Sequence, residues 1–371
     1  MKVAIVHDWI TNPGGAETVI QCLLEIFPDA PVYTAVYNRK RMAEYFPNAD
    51  IRTSFLDRLP FSATKYPMYL GLMPRAFEQF DLRGYDVVLS SSTSCAKGVL
   101  TDANTLHVCY CNTPMRYAWD FYFDYLNHSS NPLRKFLIRS LMYRIRMWDV
   151  LSSNRVDFFI ANSHNVAARI EKHYRRESAV IYPPVSIPEV DRQDCAPGGY
   201  YLAVSRLVSY KRIDLAVQAF RSLNLPLVIA GEGPEYKALK KMAGPNIRFA
   251  GRVSEEQKGD LFRHCRGFVF PGEEDFGITP VEAQGYGKPV IAFGKGGALE
   301  TVIDGVTGIH FHEQTADSLA DAVRRAEQTG FDPQKIRENA LSFDRSVFKD
   351  KLLSFIQEKQ QSFQERKGMK W

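Results

Sequence analysis

The chain has 371 residues, enough for two domains with something left over. Its composition is that of an ordinary globular protein, 45% hydrophobic and 24% charged, and a net charge of +5 is too mild to argue for nucleic acid as a partner. That excess suits phosphate-bearing ligands or an anionic membrane surface.

No apolar run approaches the roughly 20 residues that a membrane helix needs. The first residues end their apolar stretch at His7-Asp8, too soon for a signal-peptide core. The cysteines, Cys22, Cys95, Cys109, Cys111, Cys195 and Cys265, are scattered without zinc spacing. Buried, reduced thiols and a cytoplasmic location are therefore expected.

Val3–Val6 reads as a buried strand, Asn12-Pro13-Gly14-Gly15 as a loop, and Ala16–Phe27 as a helix. Strand, glycine loop, helix is the opening of a doubly wound sheet. Leu59–Arg75 carries Lys65, Tyr66 and Tyr69 among apolar residues. Further strands are expected at Val87–Leu89, Leu106–Tyr110 and Phe158–Ala161. Asn131–Trp148 interleaves Arg and Lys with Phe, Leu, Ile and Trp. That pattern fits a helix lying in a membrane interface, or a core helix whose cations reach out to solvent.

Pro183–Pro188 and Cys195–Gly199 are proline-dense and read as a linker, placing a boundary near residue 185. A second series of strands follows at Tyr201–Val204, Pro226–Ala230, Ile247–Phe249, Gly267–Phe270 and Pro289–Ala292. Lys349–Trp371 is a charged, helix-prone tail. Strands alternating with helices argue for an α/β chain with parallel sheets. The expected layout is two Rossmann-like domains, 1–185 and 186–348, with a cleft between them and ligands at the carboxyl ends of strands.

The most informative segment is Glu274–Glu282, after the strand ending at Phe270. Gly277 and Pro280 suit a loop that turns into a helix, whose free N–H groups attract anions and hydroxyls. Glu274 in the loop and Glu282 about one turn into the helix can face one ligand and accept bonds from paired hydroxyls. Two such glutamates alone are more often an acidic loop and a helix-start charge. Their neighbours shift the balance. Arg206 and Lys211 follow the strand Tyr201–Val204 and suit a diphosphate clamp. Gly231-Glu232-Gly233-Pro234 lets backbone approach a ring or phosphate closely. Gly251-Arg252-Val253 marks another strand-to-loop junction at the same edge.

In this order and spacing the four elements resemble the retaining glycosyltransferases of family 4, which have the two-domain GT-B fold. The resemblance covers essentially the whole chain. It implies a nucleoside diphosphate sugar as donor. Arg206 and Lys211 would clamp the diphosphate, and Glu274 would hold the sugar's hydroxyls. The backbone of Phe276, Gly277 and Ile278 would line sugar and phosphate. Glu282 would bind the ribose, with Gly231 and the backbone of Val253 beside the nucleoside. Gly14 and Gly15 match the family's N-terminal glycine loop, and the tail matches its final helix, which returns to the first domain.

Tyr110–Asp120 is similar to a segment of bacterial O-antigen and exopolysaccharide mannosyltransferases. It implies mannose from GDP-mannose, a polyprenyl-diphosphate-linked glycan acceptor, and the inner membrane face as workplace. Asn112 departs from that pattern, which usually has histidine there. An amide cannot titrate, although it can donate a hydrogen bond. No Asp-x-Asp pair sits at a strand end, so no metal and no other cofactor are expected. Family resemblance implies front-face attack with retention. UDP- or dTDP-sugars would use the same frame. A sugar-nucleotide epimerase or a non-catalytic assembly subunit are rival readings.

Overall fold

Val3, Ala4, Ile5 and Val6 are all buried. A strand covered on both faces belongs inside a parallel sheet with helices on either side. The computed structural model, which describes residues 1–127, 131–191 and 198–368, has that arrangement. The chain divides into two units. Met1–Pro184 with Phe348–Trp371 forms the first, and Val185–Val347 the second.

The first unit carries strands β1 (Val3–His7), β2 (Val32–Thr34), β3 (Ile51–Thr53), β4 (Val87–Ser92), β5 (Leu106–Cys111), β6 (Phe158–Ala161) and β7 (Ser178–Val180). They lie in the order β3-β2-β1-β4-β5-β6-β7, all parallel, with Ile5 opposite both Val32 and Leu89. The order reverses between β1 and β4, the topological switch point where doubly wound sheets take ligands. Alternate β1 residues serve opposite faces. Val3 and Ile5 pack with Val19 and Ile20 of helix α1 (Gly15–Ile26), and Ala4 and Val6 with Met73 and Phe77.

Two long helices complete this unit's framework. Helix α2 (Pro132–Ser153) begins where the Asn131 side chain accepts from the N–H groups of Leu133 and Arg134 at 2.9 and 3.2 Å. Helix α3 (His164–Tyr174) is capped by Ser163, whose hydroxyl accepts from Val166 N–H at 3.1 Å.

The second unit holds β8 (Tyr200–Val204), β9 (Leu227–Ala230), β10 (Ile247–Gly251), β11 (Cys265–Phe270), β12 (Val290–Phe293) and β13 (Gly308–Phe311). Their order is β10-β9-β8-β11-β12-β13, again parallel, with the reversal between β8 and β11. Tyr201 and Ala203 face helices α4 (Ile213–Leu223) and α7 (Ala316–Gln328). On the other face Leu202 meets Phe262 of α5 (Glu255–His264) and Ala283 of α6 (Ile278–Gly285). Helix α8 spans Pro333–Leu341 and α9 Arg345–Gly368. Phe348, Leu352 and Ile356 of α9 enter the core of the first unit, where Phe348 meets Tyr110 edge-on at 5.7 Å.

Four strands are absent from the residue-level expectation: β2, β3, β7 and β13. Three of them have only three residues, too short for any periodicity, and β13 opens on glycine and contains a histidine. Cys22, Cys95, Cys109, Cys111 and Cys265 are free and buried, while Cys195 lies outside the described residues. Among the described residues no helix is long and apolar enough to cross a membrane.

Candidate active site

The carboxyl edge of the second unit's sheet is built from loops that touch through their backbones. Gly231 follows β9 with φ +135°, and a Cβ there would sit 1.8 Å from the Ser205 carbonyl oxygen. Only glycine allows that approach. Its N–H donates to the Gly251 carbonyl at 2.7 Å, joining the β9 and β10 ends. Beyond β11, Gly272 packs against the Lys211 backbone.

These contacts bring Lys211 to Glu274, and the two side chains form an ion pair, each about one-fifth exposed. Arg206, on the same loop as Lys211, is exposed, and no hydrogen bond or ion pair holds its guanidinium among the described residues. Phe276 is buried against Phe343, with ring centroids 5.5 Å apart. Gly277 has φ +90° and begins α6 with no side-chain cap, so the N–H groups of that first turn, from Ile278 on, lack a capping side chain. Pro280 falls within the same turn.

Glu282 sits in α6 and pairs with Lys258 of α5 at 3.0 Å, and Lys258 also meets Glu255 at 2.7 Å. Burial works to lower the Lys258 pKa, but the two carboxylates outweigh it and the value rises. Among the described residues no direct bond joins Glu274 and Glu282. Each carboxylate is held by its own lysine. Val253 is half-buried just before Ser254, which caps α5 by accepting from Gln257 N–H at 3.2 Å.

Two contributors escaped the residue-level reading. One is Lys258. The other is Gly296-Gly297, after β12. Gly297 N–H donates to the Glu274 carbonyl at 2.8 Å, and a Cβ on Gly297 would lie 2.3 Å from Phe276 Cα. This pair fixes the path of the Glu274–Phe276 loop. A double glycine after a strand was the visible signal. Lys258 had none, because its partners lie on other turns and elements.

In the first unit, Gly14 is the extended N-cap of α1 and offers no side-chain cap, with Gly15 the first helical residue. The ends of β1, β4 and β5 meet at Ser91. His7 Nδ1 lies 3.2 Å from the Ser91 carbonyl, and Asn112 Nδ2 donates to the Ser91 hydroxyl at 3.0 Å. His7 Nε2 is 4.0 Å from Glu17. Burial opposes charge on His7, but Glu17, Asp8 and the carbonyl together raise its pKa. Asp8 is consumed structurally: it accepts from Thr93 N–H (2.5 Å), Thr93 hydroxyl (3.0 Å), Ser94 N–H (2.9 Å) and Ala96 N–H (2.7 Å).

The segment after Asn112 is anchored by its aromatic residues. Trp119 stacks on His173 at 4.6 Å and donates to Asp149 at 2.8 Å. Asp149 is fully buried, ion-paired with Lys97, and accepts from the Tyr174 hydroxyl at 3.0 Å. Asp120 lies 3.7 Å from both Arg169 and His173, and His173 first and Arg169 with it keep its carboxyl below the usual range.

Two doubly wound parallel sheets, of seven and six strands, have the layout of the GT-B class of fold. Solved structures share it. The lipopolysaccharide outer core galactosyltransferase WaaB aligns with a TM-score of 0.69 at 16% identity, over 97% of this chain and 100% of that one. HepE of Anabaena, solved with UDP, aligns with a TM-score of 0.70 at 19% identity, over 96% and 100%. The chain belongs to family 4 of the glycosyltransferases: residues 13–188 match the model "Glycosyltransferase Family 4", and residues 197–343 match "Glycosyl transferases group 1".

Relatives are distant. An uncharacterised glycosyltransferase of Methanocaldococcus jannaschii is 26% identical over 45% of this chain and 48% of its own length. The α-1,3/1,6-mannosyltransferase ALG2 of Dictyostelium discoideum is 26% identical over 66% and 68%. The O-antigen chain mannosyltransferase C of Escherichia coli is 30% identical over 37% and 42%. The match thus spans about half the length of the first of these, 48%, and less of the third, 42%.

Proposed function

We propose that this chain is a retaining, metal-independent glycosyltransferase that moves a sugar from a nucleoside diphosphate donor to an acceptor. Mannose from GDP-mannose is the first donor to test, and a polyprenyl-diphosphate-linked glycan at the inner membrane face the first acceptor. The observation that carries the reading is the Lys211–Glu274 ion pair beside the uncapped start of α6, at the switch point of the second sheet.

In this mechanism Arg206 and Lys211 offset the charge that grows on the leaving diphosphate. Glu274 accepts from sugar hydroxyls, and the pairing with Lys211 pre-sets its carboxylate. The uncapped start of α6, with the backbone of Phe276, Gly277 and Ile278, receives phosphate oxygens. Glu282 accepts from the ribose, while Gly231 and Val253 flank the nucleoside. Gly14 and Gly15 start α1 without a cap and present a second set of phosphate-seeking amides. The acceptor hydroxyl attacks the anomeric carbon on the face the diphosphate leaves. Its proton passes to the departing phosphate oxygen, and the anomeric configuration is kept. Asn112 contributes a hydrogen bond, not a proton. The mannosyltransferase names among the relatives support mannose as the first sugar to test.

Thermal stabilisation by GDP, UDP, ADP and dTDP tests the reading, with Glu282→Ala as control. A ligand bound only by the folded state raises stability by RT ln(1 + [L]/Kd). A rise with GDP that Glu282→Ala abolishes is expected. A rise with UDP or dTDP alone keeps the transferase and discards GDP-mannose. No rise with any nucleotide discards the donor site and favours an assembly subunit. Free or isomerised sugar as the only product would instead mark an epimerase.

A further inference from the structure

Helix α2 is apolar on its outer side as well as on its inner one. Leu133, Phe136, Leu137, Tyr143, Met147 and Leu151 are between 50% and 67% exposed. At 3.6 residues per turn they fall on one side of the helix and so form one outward face. The inward face buries Ile145, Asp149, Ser152 and Ser153 and packs Leu141, Met142 and Trp148 on the core. A helix whose outer side meets only water is polar on that side.

The apolar surface continues beyond the helix. Phe61 and Met68 are 69% and 70% exposed. Their segment packs on α2: a Cβ on Gly71 would lie 3.3 Å from Leu141 Cδ1. Phe123, 69% exposed, stands edge-on to Tyr122 at 5.0 Å, and the Arg146 guanidinium lies over that Tyr122 ring at 4.6 Å. Exposed apolar side chains on segments that touch in this way mark an interaction surface.

Charge says which partner it fits. Residues 59–75 contain Lys65 and Arg75 and no acid. Residues 132–153 contain Arg134, Lys135, Arg139, Arg144 and Arg146, and their only acid is Asp149, buried against Lys97. A second copy of the chain would bring the same positive rim against itself, which opposes self-association. An anionic bilayer matches both features, because apolar side chains enter the interface and the cations meet lipid phosphates. Since no described helix can span a membrane, the attachment is to one surface.

We propose that the outer face of α2, with Phe61–Leu72 and Phe123, docks this protein on a bilayer surface carrying anionic headgroups. The proposal rests on the lipid-linked acceptor of the reading above and names the surface that meets its membrane, but its test does not use turnover.

The test is flotation of the full chain with vesicles of phosphatidylcholine, with and without phosphatidylglycerol. Binding to the anionic vesicles alone, weakened by salt, is expected. The triple change Arg134→Gln, Arg139→Gln and Arg144→Gln should weaken binding roughly 100-fold, at about 5-fold for each charge. Phe136→Ser with Leu137→Ser and Met147→Ser should abolish it. All six residues are exposed or nearly so, and an unchanged melting temperature will show that the variants fold. Equal binding to both vesicle types overturns the proposal. So does no vesicle binding, whether or not the apolar variant abolishes a protein–protein association. Nucleotide stabilisation, measured on the same samples, separates the two claims. Vesicle binding without it keeps the docking face and removes the donor reading, and the converse removes only the docking face.

Discussion

Lys211 and Glu274 come from loops after different strands, and the backbone contact of Gly272 with Lys211 is what lets their side chains meet. Among the described residues Arg206 has no such partner, so the two cations differ as targets. Arg206→Ala removes charge alone and should lower kcat, roughly 10²- to 10³-fold, when an oriented charge on the leaving group is lost. Lys211→Ala should cost as much and also raise KM, because Glu274 loses its orientation. Steady-state kinetics with the donor identified by thermal shift will check both, and wild-type turnover in either variant sinks the clamp. A second residue speaks to stability. His107 is buried, its Nδ1 facing the Arg155 carbonyl at 3.2 Å and its Nε2 the Ser90 hydroxyl at 2.8 Å. Burial presses its pKa from 6.5 down to about 4. The folded pKa is the lower one, so the unfolded chain takes the proton first. Stability is whole above pH 6.5 and is lost as pH falls towards about 4, by about 3 kcal/mol from this one group. Urea titrations across that window should show a shallower slope in His107→Asn.

Among the elements, long buried strands were legible and very short ones were not. The runs at β1 and β8 are apolar on both faces, the pattern of a covered parallel sheet. Val32–Thr34 and Ile51–Thr53 offer no pattern; pairing with β1 makes the first a strand, and the first in turn makes the second one. The donor-edge residues could be named from strand ends and glycines. Lys258 could not, since its partner Glu282 belongs to another helix. Nor could the exposed apolar face of α2 be told from a core helix by sequence, because only the packing decides which side is covered. One buried polar anchor of α2 is Asp149, the shared acceptor of Lys97, Trp119 and Tyr174. A buried ion pair is poor at adding net stability but costly to break from one side. Asp149→Asn should therefore destabilise the first unit by about 3–5 kcal/mol, whereas Lys97→Met with Asp149→Leu should recover most of that loss. Denaturation of the single and double variants decides it; equal losses would show that the hydrogen bonds to Trp119 and Tyr174 matter more than the charge.

For the whole molecule, the two units have separate cores and need not melt together. Phe348 begins the part of α9 that belongs to the first unit and is 2% exposed. Phe348→Ala should lower the first unit's stability by about 3–5 kcal/mol and leave the second unit's transition in place. Calorimetry should then show one transition moving and one fixed; a common shift would mean that the units unfold as one. The second unit is an insertion within the first, because residues on both sides of it build one core. During synthesis the ribosome must make all of Val185–Val347 before Phe348, Leu352 and Ile356 emerge. At the usual pace of elongation that delay is on the order of ten seconds. Throughout it the nascent first sheet shows the apolar seat of α9 uncovered, beside Tyr110. The later half of the chain is free to finish folding while the earlier half waits, and that open seat is where a chaperone would be needed.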